Sequence, residues 1–250
     1  MKRGLLLIDR GSREKEVRDE LDFICKKVKQ QGNYVFVNYC FLEVLPPFIE
    51  EGITNCLRED IDALTIVPYF LYPGKKVKAA VNEAIKFQAK TDIKFVVTKP
   101  MSMHETMAEI VNSKIEAVLE KNQIMLPKDK IDVLVIGHGS KDPNARLSIK
   151  YVVDKLVPQY RNIDYCFLEI EEPNIEQGIK KCAENKPEVL VVVFYFLHQG
   201  AHVKRDIYGD LNPAIEKSNL KKILITEHIG TDERMIDFIM QRAKEVENAN

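Results

Sequence analysis

The 250-residue chain has no surplus of charge of either sign: 37 lysines and arginines stand against 38 aspartates and glutamates, a formal charge of −1. Without a basic excess, nucleic acid is excluded as an expected partner, and any electrostatic site must be local. Long apolar runs are missing too. The longest, Val189 to Leu197, has nine residues, far short of the ~20 of a membrane-crossing helix, so it reads as a buried strand and no membrane association is expected. Near the start only Leu5 to Ile8 are consecutively apolar, short of the roughly 7–15-residue core of a secretory signal. The five cysteines, Cys25, Cys40, Cys56, Cys166 and Cys182, are odd in number and show no C-x-x-C spacing. That argues against a disulfide framework and a structural zinc site, and makes a reducing cytoplasm the expected compartment. No histidine-rich tail hints at metal storage. What is present is an ordinary globular composition, 45% apolar and 30% charged, long enough for one large α/β domain or two small ones.

The chain repeats itself. Leu6-Leu7-Ile8-Asp9-Arg10-Gly11-Ser12-Arg13 resembles Leu134-Val135-Ile136-Gly137-His138-Gly139-Ser140-Lys141, and Tyr39-Cys40-Phe41-Leu42-Glu43 recurs letter for letter as Tyr165-Cys166-Phe167-Leu168-Glu169. Each copy continues at matching distances with Pro47 or Pro173, Gly52 or Gly178, and Cys56 or Cys182. A third match pairs Tyr69-Phe70-Leu71 with Tyr195-Phe196-Leu197, Gly74 with Gly200, Lys76 with His202, and Val77-Lys78 with Val203-Lys204. The copies stay 126 to 128 residues apart. This is a tandem duplication, with repeats at 1–121 and 122–250 and a linker near Lys121 to Asp132, marked by Gln123, Pro127 and Lys128-Asp129-Lys130.

Each repeat alternates short β-branched runs with longer amphipathic stretches, the pattern of βα units around a parallel sheet. In the second copy the expected strands are Val133 to Ile136, Ile163 to Phe167, Val189 to Phe196 and Ile223 to Thr226. Helical periodicity marks 146–156, 174–183, 203–216 and 233–246, with Ile149, Val152, Val153 and Leu156 on one face. The fold class expected is therefore α/β: two tandem duplicated, doubly wound domains with four-stranded parallel sheets. Right-handed crossovers favour strand order 2-1-3-4 in each, which places the carboxyl ends of strands one and three side by side at the switch-point crevice.

Two histidines point at that crevice. His138 follows the first strand of the second unit in Gly137-His138-Gly139-Ser140, and His202 follows its third strand. Either alone reads as a hydrogen-bonded cap, but two converging imidazoles suit a borderline divalent metal with open coordination positions. The flanking glycines would let a large flat ligand approach the backbone. Gly139 and Ser140 at a helix start would also suit a phosphate, although the turn lacks both the G-x-G-x-x-G spacing and the lysine of a P-loop. Glu169, ending the second strand, is either a proton acceptor or oxygen ligand in the crevice, or a helix-dipole carboxylate before Pro173. His198, four residues before His202, would form a metal pair on a helix, but Gly200 intervenes after the strand end, so it is placed either in a supporting role behind the site or in a loop role. His104 and His228 are placed in structural or surface roles, and the cysteines in the apolar core. In the first repeat Arg10 stands at the position of His138 and Lys76 at that of His202. Neither is a plausible metal ligand. With Arg13, Lys75 and Lys78 they form either a cationic cluster that grips carboxylates of a ligand held between the domains, or a solvated basic helix start.

The Val-Ile-Gly-His-Gly-Ser start, the Phe-Leu-Glu followed by proline, and Phe196-Leu-His-Gln-Gly-Ala-His-Val-Lys-Arg-Asp-Ile207 resemble the CbiX-like sirohydrochlorin chelatases, among the class II tetrapyrrole chelatases. The likeness covers essentially the whole chain. It departs at Tyr208, where the family usually continues Asp-Ile with proline, a change expected to affect only the helix entry. The resemblance implies ATP-independent insertion of Co²⁺ or Fe²⁺ into sirohydrochlorin, toward cobalamin or sirohaem. The metal is substrate, Ni²⁺ is also compatible with the donor set, and no organic cofactor is implied. Two active-site histidines serve the family and match His138 and His202, with Glu169 as a third catalytic candidate. Arg10, Lys76 and Lys204, together with the Gly139-Ser140 turn, are the candidate tetrapyrrole-binding groups. A monomer suffices, and a homo-oligomer is left open. Two competing functions are a non-catalytic tetrapyrrole or metal carrier and a phosphate-transfer enzyme with His138 as nucleophile. Histidine phosphatases place arginine before that histidine, where this chain has Gly137.

Overall fold

The computed structural model describes residues 1–198, 200, 202–230 and 232–248, with the side chains of 202–204 outside that description. It forms two compact units, Met1–Ser102 with Thr231–Asn250, and Met103–Gly230.

In the first unit, strands β1 (Arg3–Asp9), β2 (Phe36–Phe41), β3 (Ala63–Pro68) and β4 (Lys94–Val97) alternate with helices α1 (Lys15–Gln31), α2 (Ile49–Leu57) and α3 (Lys75–Ile85). The strands are all parallel in the order β2-β1-β3-β4. Every residue of β1 and β3 is buried, as expected of central parallel strands covered on both faces. Alternate side chains pack each way: Leu6, Ile8, Leu64 and Ile66 join Ile49, Ile53, Ala80 and Ala84 of α2 and α3. The same plan repeats in the second unit, following α4 (Glu105–Lys121): β5 (Ile131–Gly137), α5 (Ala145–Leu156), β6 (Asn162–Phe167), α6 (Ile175–Glu184), β7 (Val189–Phe194), α7 (Tyr208–Ser218) and β8 (Ile223–Ile225). Its order is β6-β5-β7-β8, again parallel.

The compact units differ from the sequence repeats 1–121 and 122–250 in one respect, the ownership of the last helix. α4, which ends the first repeat, packs on α5, β7 and β8, while α8 (Glu233–Glu247), which ends the second, packs on α1, β3 and β4. Polar latches fix both dockings. Glu247 of α8 accepts hydrogen bonds from Tyr34 and the buried Thr65 and lies beside Arg3. At the repeat-equivalent place, Tyr160 donates to Asn112 of α4 at 2.7 Å, and Lys128 pairs with Glu116 at 2.6 Å. The residues expected to be a linker thus anchor α4 and run through a 3₁₀ turn, Lys128–Lys130, straight into β5.

β7 ends at Phe194, two residues before the expected limit, because its ladder with β5 stops at Ile136↔Phe194. The helix expected from 203 begins as a π-helical turn, His202–Ile207, that passes into α7. Tyr208, where a proline would remove a backbone donor, instead sets its ring edge-on to Phe194 at 5.6 Å. All five cysteines are free and buried. Burial pushes the Cys25, Cys56 and Cys182 thiols up to about 12 and raises Cys40 and Cys166 as well, so they stay protonated. Among the described residues no helix is long and apolar enough to cross a membrane.

Candidate metal centre

At the carboxyl end of β5 the chain leaves the sheet through His138, Gly139 and Ser140. Backbone bonds carry the β5–β6 pairing past the ladder: Leu168 N–H donates to Gly137 at 2.8 Å and Glu169 N–H to His138 at 3.1 Å. On the other side Tyr195 N–H donates to Ile136. His138 therefore emerges between the ends of β6 and β7, as the strand order required. Its Nδ1 lies 3.4 Å from Glu169 Oε1 and 3.3 Å from the Gly139 carbonyl oxygen, and its ring meets Phe196 edge-on at 6.5 Å. The imidazole is mostly covered, 22% exposed, whereas the Glu169 carboxylate is half exposed. Glu169 thus reaches the crevice and touches the histidine.

Gly139 and Ser140 have internal work. Gly139 has φ +90°, and a Cβ there would fall 1.8 Å from the Glu169 carbonyl oxygen. The space expected for an incoming ligand is filled by the protein's own backbone. Ser140 N–H donates to Glu171 Oε1 at 3.0 Å, and Ser140 Oγ accepts from Asp142 N–H at 3.1 Å. A carboxylate therefore already occupies the Ser140 backbone donor, and α5 begins only at Ala145, so the turn is not the helix start on which a phosphate was expected to sit. The side chains of His202 and Lys204 lie outside the described residues. Their backbone forms the first part of the π-helical turn after β7, the strand beside β5. Among the described residues no three histidine, cysteine or acidic side chains cluster as a ligand set.

The first unit carries the same geometry with different chemistry. Leu42 and Glu43 N–H donate to Asp9 and Arg10 carbonyls, and Gly11, at φ +100°, sits against the Glu43 carbonyl. Here Arg10 Nε bonds Glu43 Oε1 at 2.9 Å and Lys76 Nζ pairs with Glu43 Oε2. The two cations hold the Glu43 carboxyl below the usual carboxylate range, Lys76 chiefly and then Arg10. The expected cationic cluster is thus a cation–carboxylate–cation triad with one net positive charge, and about half of each basic side chain is exposed.

Other histidines fall where expected. His104 caps α4, Nδ1 accepting from Thr106 N–H at 3.2 Å, and His198 lies in the bend after β7. His228 packs over Gly230. The reading of single residues missed Glu171 and Arg146. The signal was available in the internal repeat: Arg146 matches Arg18, but Glu171 stands where the first copy has Leu45.

The CbiX family model matches residues 4–118 and, a second time, 132–246. The chain belongs to the CbiX family. It is 27% identical over 209 residues to a sirohydrochlorin cobaltochelatase of Priestia megaterium, covering 81% of this chain and 67% of that protein. It is 20% identical over 248 residues to a sirohydrochlorin ferrochelatase of the same organism, covering 96% and 89%. Among solved structures, SirB from Bacillus subtilis with Fe³⁺ superposes with a TM-score of 0.82 at 20% identity, covering 98% of this chain and 95% of that one. That likeness establishes the shared fold, and it spans both repeats.

Proposed function

We propose that this chain inserts Co²⁺ or Fe²⁺ into sirohydrochlorin without ATP, using His138, His202 and Glu169 of its second repeat. The observation that carries the reading is the environment of His138. Its Nδ1 faces two oxygen acceptors, Glu169 and the Gly139 carbonyl, which keeps the proton on Nδ1 and the lone pair on Nε2. A neutral imidazole so oriented can bind a borderline metal, and a carboxylate beside it accepts a proton. Membership of the CbiX family supplies the substrate class, through relatives named for sirohydrochlorin.

The chemistry asks for these groups. As a divalent ion enters the macrocycle it sheds water ligands, and two pyrrole N–H protons leave, so the charge of the ring core is unchanged. Imidazole binds the ion weakly enough to release it, and Nε2 or the Glu169 carboxylate takes up protons. The placement of His202 is supported by the repeat, since Lys76, its counterpart, reaches Glu43 in the first unit. The Arg10–Glu43–Lys76 triad offers one net positive charge to a substrate carboxylate, and Lys204 a second.

The test is anaerobic absorbance with sirohydrochlorin and, separately, Co²⁺, Fe²⁺ and Ni²⁺, each against a control without protein. Catalytic amounts of protein should accelerate the spectral change, and the relative rates rank the metals. Binding of the tetrapyrrole without acceleration for any metal would replace the enzyme by a carrier.

A further inference from the structure

Glu171 follows Glu169 after a single residue, Ile170, held at φ +72°. Its side chain is 11% exposed and is held from both sides, by Ser140 N–H at 3.0 Å and Arg146 Nε at 2.8 Å. Arg146 is itself fixed, donating to the Glu172 carbonyl at 2.8 Å and lying 5.4 Å over the Phe167 ring.

The consequence runs through one peptide. The Gly139–Ser140 peptide unit is planar, so its N–H and C=O point in opposite directions. With the N–H tied to Glu171, the carbonyl is turned toward His138, 3.3 Å from Nδ1. That carbonyl can only accept, so it demands a proton on Nδ1. Glu171 thereby reaches the imidazole without touching it.

The first unit shows the alternative. There the turn is pinned one residue earlier, by the buried Asp9 accepting from Gly11 N–H at 2.8 Å. Asp9 has no counterpart in the second unit, where Gly137 stands, and Glu171 has none in the first, where Leu45 stands. The carboxylate that anchors the turn has moved in the one repeat that carries a histidine at the turn, to the place from which it orients the 139–140 peptide.

We propose that Glu171 is a positioning residue: through the Gly139–Ser140 peptide it holds His138 in the Nδ1–H tautomer and so presents Nε2 to the metal. The proposal rests on reading His138 as the group that meets the metal substrate. The test compares Glu171→Leu, the residue of the first repeat, with Glu171→Gln, whose amide oxygen still accepts from Ser140. Three readouts are taken: the His138 tautomer by long-range ¹H–¹⁵N NMR at mildly alkaline pH, Co²⁺ affinity by visible absorbance, and kcat and KM for sirohydrochlorin.

In Glu171→Leu, where Glu169 Oε1 at 3.4 Å is left as the remaining acceptor at Nδ1, the Nδ1–H tautomer loses population to the Nε2–H form and the Co²⁺ Kd rises about 10- to 100-fold, the range seen when a ligand's outer partner is lost. kcat falls while KM for the tetrapyrrole stays within about twofold, since no substrate contact is removed. Glu171→Gln restores the single tautomer and most of the affinity. An unchanged tautomer and Kd in Glu171→Leu overturns the proposal. So does a glutamine variant as impaired as the leucine one, which would make the Arg146 charge pair the operative contact. If the leucine variant does not fold, a mixed tautomer in Glu171→Gln overturns it alone. Should the wild type bind Co²⁺ yet insert none, the chelatase reading fails while the tautomer and Kd comparison still judges Glu171.

Discussion

Replacing Gly139 by alanine, beside the matched Gly11→Ala, separates what the turn contributes to the fold from what it contributes to the site. At φ +90° and +100° a non-glycine residue costs about 1–3 kcal/mol in backbone strain. The new Cβ would stand 1.8 Å from the Glu169 carbonyl oxygen in one case and 2.2 Å from that of Glu43 in the other, against an ordinary contact of 3.4 Å or more. The crossing strand end must therefore retreat by more than an ångström. The bonds from Glu169 N–H to His138 and Leu168 N–H to Gly137, or their counterparts from Glu43 and Leu42, are then strained or lost, at about 0.5–1.5 kcal/mol each. The sum is roughly 2–6 kcal/mol for either variant, a fall in Tm of about 4–24 °C for a chain of this size. Calorimetry should find the two variants similarly destabilised. Co²⁺ titration should not find them alike: Gly139→Ala drags Glu169 away from His138 and weakens binding at least about tenfold, while Gly11→Ala leaves it unchanged. A Tm within a degree or so of wild type in Gly139→Ala, or equal loss of Co²⁺ affinity in Gly11→Ala, would refute the reasoning.

Three further outcomes are expected. His138→Ala combined with His202→Ala should reduce metal insertion to the rate without protein while the far-ultraviolet circular dichroism stays native; full activity in that folded double variant would remove the histidines from the site. The Glu43 carboxyl titrates below its ordinary range when folded, so its ion pairs stabilise above the unfolded value near about 4.3 and that contribution is lost as pH falls through the lower folded value. Glu43→Gln should accordingly flatten the acid limb of a Tm-against-pH curve, and an unaltered limb would show that the triad is not coupled to folding. Ending the chain at Gly230 removes α8 and the burial of Met235, Ile236, Phe238 and Ile239, on the order of 6–12 kcal/mol at 1.5–3 kcal/mol each. Since domains have only about 5–15 kcal/mol in hand, the first sheet should lose hydrogen-exchange protection in the truncated chain, and retained protection in β1 and β3 would contradict the helix exchange.

The order of each sheet was legible because it follows from local periodicity and the handedness of crossovers. Glu169 was legible as a candidate because it ends an exact internal repeat beside the strand that carries His138, whereas Glu43, its counterpart, showed as a repeated letter and not as the centre of a triad. The ownership of α4 and α8 was not: both are amphipathic, both follow a fourth strand, and either apolar face would suit either sheet. What decides between them is a handful of distant pairs, such as Tyr34 with Glu247 and Tyr160 with Asn112, that no window of sequence brings together. Gly139 was readable as a glycine with a purpose, but not which purpose, because the atom that requires it belongs to residue 169. Glu171 was hidden in the acidic run Glu169-Ile170-Glu171-Glu172, where composition alone gives three equivalent carboxylates. The structure distinguishes them by partner: one at the imidazole, one under the turn, one outside.

The traded helices also set a timetable for biosynthesis. β1 to β4 leave the ribosome first, yet the face of their sheet that α1 covers beside β2 stays uncovered over β3 and β4 until residues 233–247 arrive. The second sheet has no such wait, because its own covering helix, α4, precedes it. The later half of the gene product is therefore the half able to mature first, and the nascent first sheet carries exposed apolar surface through most of translation, the interval in which a chaperone has something to hold.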